Sequence, residues 1–225
     1  MTAGAAERLA SGVAALQLDM SSQQQTALLD YLALLVRWNT SFNLTAVRDP
    51  LDMVHKHLLD SLSVLPWVAE AGQRVLDVGT GGGLPGVPLA IMCPRQDFEL
   101  LDSNGKKTRF LFQVKTGLGL ANMAVRHERA EDCVPDQAFD LVVSRAFASL
   151  PDMVNCCAHL CAENGRLLAM KGQLPEQELR ELDASWVVES VHELDVPGLD
   201  EARHLVIVRR GTSSPQEDAT GKNFG

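Results

Sequence analysis

The stretch VLDVGTGGGLPGVPLA, Val75 to Ala90, decides how the rest of the chain is read. Val75 to Val78 is a short apolar run of strand type. Gly79 to Gly83 break it, and an apolar helix restarts near Pro85. Strand, glycine turn and helix in this order open a doubly wound α/β sheet. In such sheets ligands bind beyond the carboxyl ends of the strands, where the strand order reverses. The fold therefore places a pocket at this loop and leaves open what the glycines bend around.

The spacing Gly81-x-Gly83-x-x-Gly86 matches a dinucleotide fingerprint, but two features oppose a pyrophosphate. A helix start binds phosphate through free backbone N–H groups, and the prolines at 85 and 88 have none to offer. Asp77, at the strand end, would also set a carboxylate where the phosphates belong. A cationic ligand fits better, and S-adenosylmethionine carries both a sulfonium and an ammonium. Asp102, about twenty residues past the glycines, closes the next strand in the position of an acid that binds a ribose diol. Glu131 follows the third strand and can receive the adenine amino group, with the Ala130 backbone reading the ring edge. Each acid also has a plainer reading: Asp77 as a cap of its own loop, Asp102 as a helix cap, Glu131 as a solvated surface residue. Three acids on strand ends at one face favour a class I methyltransferase fold, a Rossmann-like, mostly parallel sheet.

Outward from the loop, the texture supports that fold. Strands are expected near Arg74–Val78, Phe98–Leu101, Met123–Arg126, Phe139–Ser144, Arg166–Met170, Val187–Leu194 and His204–Val208. Helices are expected near Pro85–Met92, Lys106–Gly117, Leu150–Cys161 and Pro175–Leu182. The last two strands lack a helical spacer and should form an antiparallel edge hairpin. Residues 1–70 read as a helical segment packed on the main domain at 71–210, with a capping box at Ser22 and Gln25 and an N-cap at Asp49-Pro50. The polar tail, 211–225, is expected to be disordered.

At 225 residues with 46% hydrophobic and 22% charged residues, the chain is an ordinary globular domain. It needs neither metal nor disulfide to complete a core. Its five cysteines form no CxxC pair and read as reduced thiols of a cytoplasmic protein. Cys157 and Cys161 share a helix face in this reading, but no metal site is expected. No apolar run reaches the ~20 residues that span a bilayer. A net charge of −9 excludes a protein that simply coats nucleic acid.

The acceptor is narrowed by missing chemistry. Exocyclic amine methylation usually employs a polar-Pro-Pro-aromatic motif after the fourth strand, where this chain has SRAFASL, Ser144 to Leu150. Attack through pyrimidine C5 needs an activated cysteine, and Cys156 and Cys157 sit in an apolar helix. What remains is an atom already nucleophilic, such as guanine N7. No catalytic base is then required, and alignment of nitrogen with the methyl carbon can supply ~7–11 kcal/mol. Arg145 is expected to hold a cofactor carboxylate or a substrate phosphate, not N7 itself, whose lone pair must stay free.

At this point the sequence resembles a known family. WNTSFNLTAVRDP, HLLDS, LDVGTGGGLPGVPLA, LLDS with GKKTRFL, SRAFASLPDM, and MKGQ with RHLVIV follow in order from Trp38 to Val208. Together they resemble the bacterial 16S ribosomal RNA guanine-N7 methyltransferase G family, formerly glucose-inhibited division protein B. The resemblance implies methylation of one guanine in the decoding region of 16S rRNA with S-adenosylmethionine, on a 30S subunit or assembly intermediate. It also implies cofactor contacts at Gly79, Leu84, Ala130, Glu131 and Arg145, to which the residues themselves add Asp77, Gly81 and Asp102. One departure is Gly82, where the family usually has proline or another small residue.

RNA phosphates need local positive charge whatever the total. Lys106, Lys107, Arg109 and Lys115 on one helix, with Arg126 and Arg129 beyond it, are the expected basic face. Arg37, Arg48, His55, Lys56 and His57 would form the opposite wall, and Lys171 would meet RNA after the fifth strand. His57 is also expected to bond Asp60, fixing helix against loop. The competing readings are a small-molecule methyltransferase, a nicotinamide-dependent oxidoreductase and a non-catalytic cofactor-binding module.

Overall fold

The computed structural model describes residues 3–145 and 147–211; the proposed disordered tail therefore lies, apart from Gly211, outside the described residues. Helices α1 (Ala3–Ala15) and α2 (Ser22–Phe42) lead into a helical stretch, α3, at residues 50–62, whose middle turn, Val54–Leu59, is π-helical. After α4 (Leu65–Ala69) come β1 (Arg74–Val78), α5 (Gly86–Met92), β2 (Asp97–Leu101), α6 (Gly105–Leu118) and β3 (Met123–Arg126). A 3-10 turn, Ala130–Asp132, precedes β4 (Phe139–Ser144), α7 (Leu150–Cys157), β5 (Cys161–Lys171), α8 (Glu176–Arg180), β6 (Trp186–Glu193) and β7 (His204–Arg210).

The strands form one sheet in the order β3-β2-β1-β4-β5-β7-β6. β1 to β5 are parallel, and β7 runs antiparallel to both β5 and β6. The expected hairpin is present, with its second strand inserted inside the first. The sequence explains that choice. β7 carries the run Leu205–Val208, buried throughout, whereas β6 alternates along its length as a strand with one covered face does.

Strand alternation splits the core in two. Val75, Leu141, Val143 and Leu168 face a cluster that includes α1, α2, α3, α5 and α6; Leu76, Val78, Val142 and Leu167 face α7 and Trp186. The N-terminal helices thus share a core with the sheet: Leu9, Leu28, Leu32 and Leu59 are buried in the same cluster as Val75 and Leu100. Asp49 caps α3 through Leu51 N, with Pro50 in the first turn.

Two local expectations shift. The capping box of α2 is Ser21 with Gln24, one residue earlier than expected. The run SSQQQ allows either register, and Gln24 can also donate to Met92 O at the end of α5. The helix expected to reach Cys161 stops at Cys157, because Phe139 N bonds Leu160 O and Cys161 enters the ladder opposite Phe139. Cys157 and Cys161 therefore share no helix face.

Candidate active site

The strand order reverses between β1 and β4, and the glycine turn after β1 sits at that point. The turn is wired to the end of β2. Gly79 N and Thr80 N donate to Leu101 O, and Gly81 N donates to Asp102 Oδ2 at 2.9 Å. Gly81 has φ +62°, which turns its amide toward that carboxylate in a conformation that side chains disfavour. Gly86 has a different reason: a Cβ there would lie 2.7 Å from Asp77 Oδ2. Its amide donates to the same oxygen at 2.8 Å, and Thr80 Oγ1 donates to it at 2.6 Å.

Asp77 is 0% exposed. Burial raises its carboxyl to about 6, against the hydrogen bonds from Thr80 and Gly86. It closes the loop from beneath through Oδ2 and is not among the residues that line the cleft beside Asp102, whereas the sequence places it at a cofactor ammonium. The reason is local: the turn needs an acceptor for Thr80 and for the first amide of α5, and Asp77 is the nearest one.

Asp102 differs. Although only 4% exposed, it lines an open cleft of about 290 Å³ with Val78, Gly79, Leu101, Ser103, Lys107, Glu128, Arg129, Ala130, Glu131, Phe147 and Cys156. Oδ1 accepts from Asn104 N at 2.8 Å, and Lys107 Nζ stands 3.4 Å from Oδ2. The helix cap of α6 is Asn104, through Lys106 N, which leaves Asp102 to the turn and the cleft. Ala130 is buried and Glu131 exposed in the 3-10 turn on the far wall. The donor set suits S-adenosylmethionine: a carboxylate with spare lone pairs for a diol, an acid for an amine, and apolar walls at Val78, Leu101 and Phe147 for a ring. The structure thus brings Gly79, Asp102, Ala130 and Glu131 together. Gly81 and Leu84 lie in the turn, with Leu84 buried at its base. Sequence reasoning missed Phe147 and Cys156 as cleft walls, although SRAFASL follows β4 at the ligand end and signals at least Phe147.

At the ligand ends of β4 and β5, Arg145 and Lys171 are both paired with carboxylates. Asp60 of α3 is 1% exposed and holds two guanidinium groups: Arg145 Nη1 at 2.8 Å from Oδ2 and Arg203 Nε at 2.9 Å from Oδ1. Arg145 Nη1 also donates to Lys56 O. Arg145, expected at the cofactor, thus spends its inward hydrogen bonds on α3. The expected His57–Asp60 bond is replaced: His57 Nε2 meets Thr45 Oγ1 at 2.7 Å. Burial lowers His57 to about 4, so it stays neutral and adds nothing to a basic wall.

Lys171 is a correction. Its Nζ pairs with Glu178 at 2.8 Å and donates to Phe147 O and Ala148 O, with its side chain 10% exposed. It fixes the segment after β4, and its ammonium is taken up by protein partners. Lys107 stands on the cleft wall beside Asp102. Lys106 and Arg109 are exposed on α6, as an RNA-facing role requires. Arg126 is taken up by Glu99 and Glu128, and Lys56 by Glu201. Gly82, the departure from the family pattern, receives the Tyr31 hydroxyl on its carbonyl at 2.6 Å. A Cβ there would come 3.2 Å from Leu35 Cδ1, so the packing is tight around the smallest residue.

Sheet order, reversal point and cleft define a class I, S-adenosylmethionine-dependent methyltransferase. The fold agrees with solved structures: TrmN from Thermus thermophilus superposes with TM-score 0.54 at 16% identity over 70% of this chain and 53% of that one. The ribosomal protein L11 methylase from Lactobacillus delbrueckii subsp. bulgaricus gives 0.52 at 21% identity, over 68% and 77%. The family model described as rRNA small subunit methyltransferase G matches residues 24–206, and the chain belongs to that family. It is 57% identical over 203 residues to "Ribosomal RNA small subunit methyltransferase G" of Marinobacter nauticus, covering 90% of this chain and 94% of that protein. The protein of that name from Pseudomonas aeruginosa is 55% identical over 205 residues, covering 91% and 95%. Among the described residues no helix is long and apolar enough to cross a membrane.

Proposed function

We propose that this protein transfers a methyl group from S-adenosylmethionine to N7 of a guanine in bacterial 16S rRNA, in the cytoplasm, with a 30S particle or assembly intermediate as substrate. The observation that carries the reading is the cleft beside Asp102, which offers acids and backbone to a cation and opens onto a wall without an activated nucleophile. Cys156, the thiol of that wall, is held above its ordinary range by burial and by Glu131, which opposes thiolate formation.

When bound, S-adenosylmethionine supplies an activated methyl on a positively charged sulfur. Asp102 would take the ribose hydroxyls, Ala130 and Glu131 the adenine edge, and Gly79 the backbone approach to the amino-acid tail. Asp77 and Thr80 hold the turn in shape from below. N7 carries no proton, so the chain's residues need only orient the base and exclude water, and rate comes from alignment. The Asp60 carboxylate keeps Arg145 directed at α3, beside the acceptor side of the sheet.

Labelled S-adenosylmethionine incubated with small subunits from cells lacking the enzyme should give one labelled nucleoside, 7-methylguanosine, on digestion of the RNA. Label in another nucleoside or in protein would replace the assignment. Naked short oligonucleotides should be poorer acceptors than partly assembled 30S particles, because an acidic chain repels RNA except where a structured substrate meets its cations.

A further inference from the structure

Phe42, at the end of α2, is 37% exposed, whereas Leu28, Tyr31, Leu32 and Leu35 of the same helix are buried. Its ring stacks on Trp38 at 5.0 Å with planes 27° apart, and Trp38 in turn leans on Phe110 of α6 at 5.7 Å. α2 and α6 pack antiparallel. Leu34 Cδ1 lies 3.8 Å from the Cβ position of Gly117, and Trp38 meets Phe110 one helix stretch earlier on α6. The next turn of α2 therefore carries Phe42 toward the start of α6, where Lys106 and Arg109 are exposed and the cleft opens. The chain that follows Phe42 abuts the glycine turn, since Leu44 Cβ lies 3.9 Å from the Cβ position of Gly82.

A cation is held at this point. Asn43 ends α2 in the left-handed region at φ +50°, and Arg48 donates to its Oδ1 at 2.7 Å and to Asn39 O at 3.1 Å. The guanidinium is thereby held at the turn beside Phe42. Among the described residues Arg48, Lys106 and Arg109, like several other cations of the chain, pair with no carboxylate. On a chain of net charge −9, an exposed aromatic ring with an unpaired guanidinium held at the adjoining turn matches a polyanion that also has flat apolar faces.

Resting on the rRNA reading above, we infer that Phe42 is the stacking platform for an unpaired base of the substrate RNA, with Arg48, Lys106 and Arg109 holding the flanking phosphates. Trp38 stiffens the platform from beneath, so a base that stacks there meets a ring already fixed in orientation. Such stacking tolerates any base. It therefore positions the strand at the rim, and choice of the methylated guanine stays with the cleft.

The test measures methylation of small subunits from cells lacking the enzyme, with wild type, Phe42→Ala, Phe42→Leu and Phe42→Tyr. Stacking predicts a KM for subunits raised roughly tenfold in Phe42→Ala. Phe42→Leu, which keeps apolar packing on Trp38 but lacks a π face, should be raised equally, and Phe42→Tyr should match wild type. Affinity for S-adenosylmethionine by calorimetry should be the same in all four. Unchanged KM in Phe42→Ala, rescue by leucine, failure of tyrosine, or a parallel loss of cofactor affinity would each overturn the platform. Lys106→Ala with Arg109→Ala should lower the salt dependence of subunit binding, and an unaltered dependence would remove the phosphate contacts. Wild type that transfers no methyl to the RNA would instead defeat the rRNA reading itself.

Discussion

The two halves of the sheet's ligand end are built on different plans. At β1 to β3 the chain offers an open cleft lined by the buried carboxylate Asp102 and by the charged side chains Lys107, Glu128, Arg129 and Glu131. At β4 and β5 the polar groups are long side chains locked into pairs, Asp60 with Arg145 and Arg203, and Lys171 with Glu178. The first half is shaped to receive a ligand. The second holds α3 and the segment after β4 against the sheet. Under the proposed alignment chemistry the first half would receive the donor and the second would offer the acceptor a fixed wall.

The sharpest way to break the comparison is at Asp60. Asp60→Ala leaves two guanidinium groups, each roughly a quarter exposed, without their shared carboxylate. Removing one member of a buried pair costs on the order of 3 kcal/mol, and a melting temperature lower by roughly 6–12 °C is expected for a domain of this size. An unchanged melting temperature would mean that the second half is not held by charge pairing.

Asp77 tests the first half through pH. A carboxyl raised from 3.8 to about 6 on folding keeps its proton longer in the native chain, so native stability falls as pH rises through that window. Asp77→Asn should remove that fall in denaturant titrations between pH 4 and 6. His57, lowered from 6.5 to about 4, acts in the opposite sense, since the unfolded chain takes the proton first and stability declines as pH drops through its own window. The wild-type curve carries both, and the asparagine variant should expose the His57 decline. A curve identical to wild type would show that Asp77 is not the buried acid of the loop.

Asp102 is where the cofactor half should be most sensitive. Asp102→Ala removes the acceptor for Gly81 N and Asn104 N together with the proposed diol contact. A Kd for S-adenosylmethionine weaker by about tenfold is expected from the loss of charge-assisted hydrogen bonds. Equal affinity in calorimetry would move the ribose elsewhere.

These contrasts follow what the sequence could reveal. The glycine turn, the five parallel strands and the position of Asp102 at a strand end were legible because each depends on neighbours in the chain: a strand-type run, a turn, an acid that follows it. The roles of Arg145 and Lys171 were not. Arg145 meets a carboxylate 85 residues earlier in the chain, and only the folded sheet brings α3 to it. Lys171 was assigned to RNA because it follows a strand at the ligand end, but Glu178 and two carbonyls at residues 147 and 148 claim it first. Asp77 bonds Thr80 and Gly86 as its plainer reading, a cap of its own loop, expects.

Lys171 gives the finest test, because a structural and an RNA-facing lysine predict opposite readouts. As the structure has it, Lys171→Met loses the Glu178 pair and two carbonyl contacts while keeping the aliphatic stem, and stability should fall by about 1–2 kcal/mol in urea titrations. The salt dependence of binding to small subunits should stay that of wild type, since no phosphate contact is lost. A lysine on the RNA would do the reverse, lowering the salt slope by about one and leaving stability nearly untouched. The pair of measurements therefore places this side chain in one half of the comparison or the other without reference to catalytic rate.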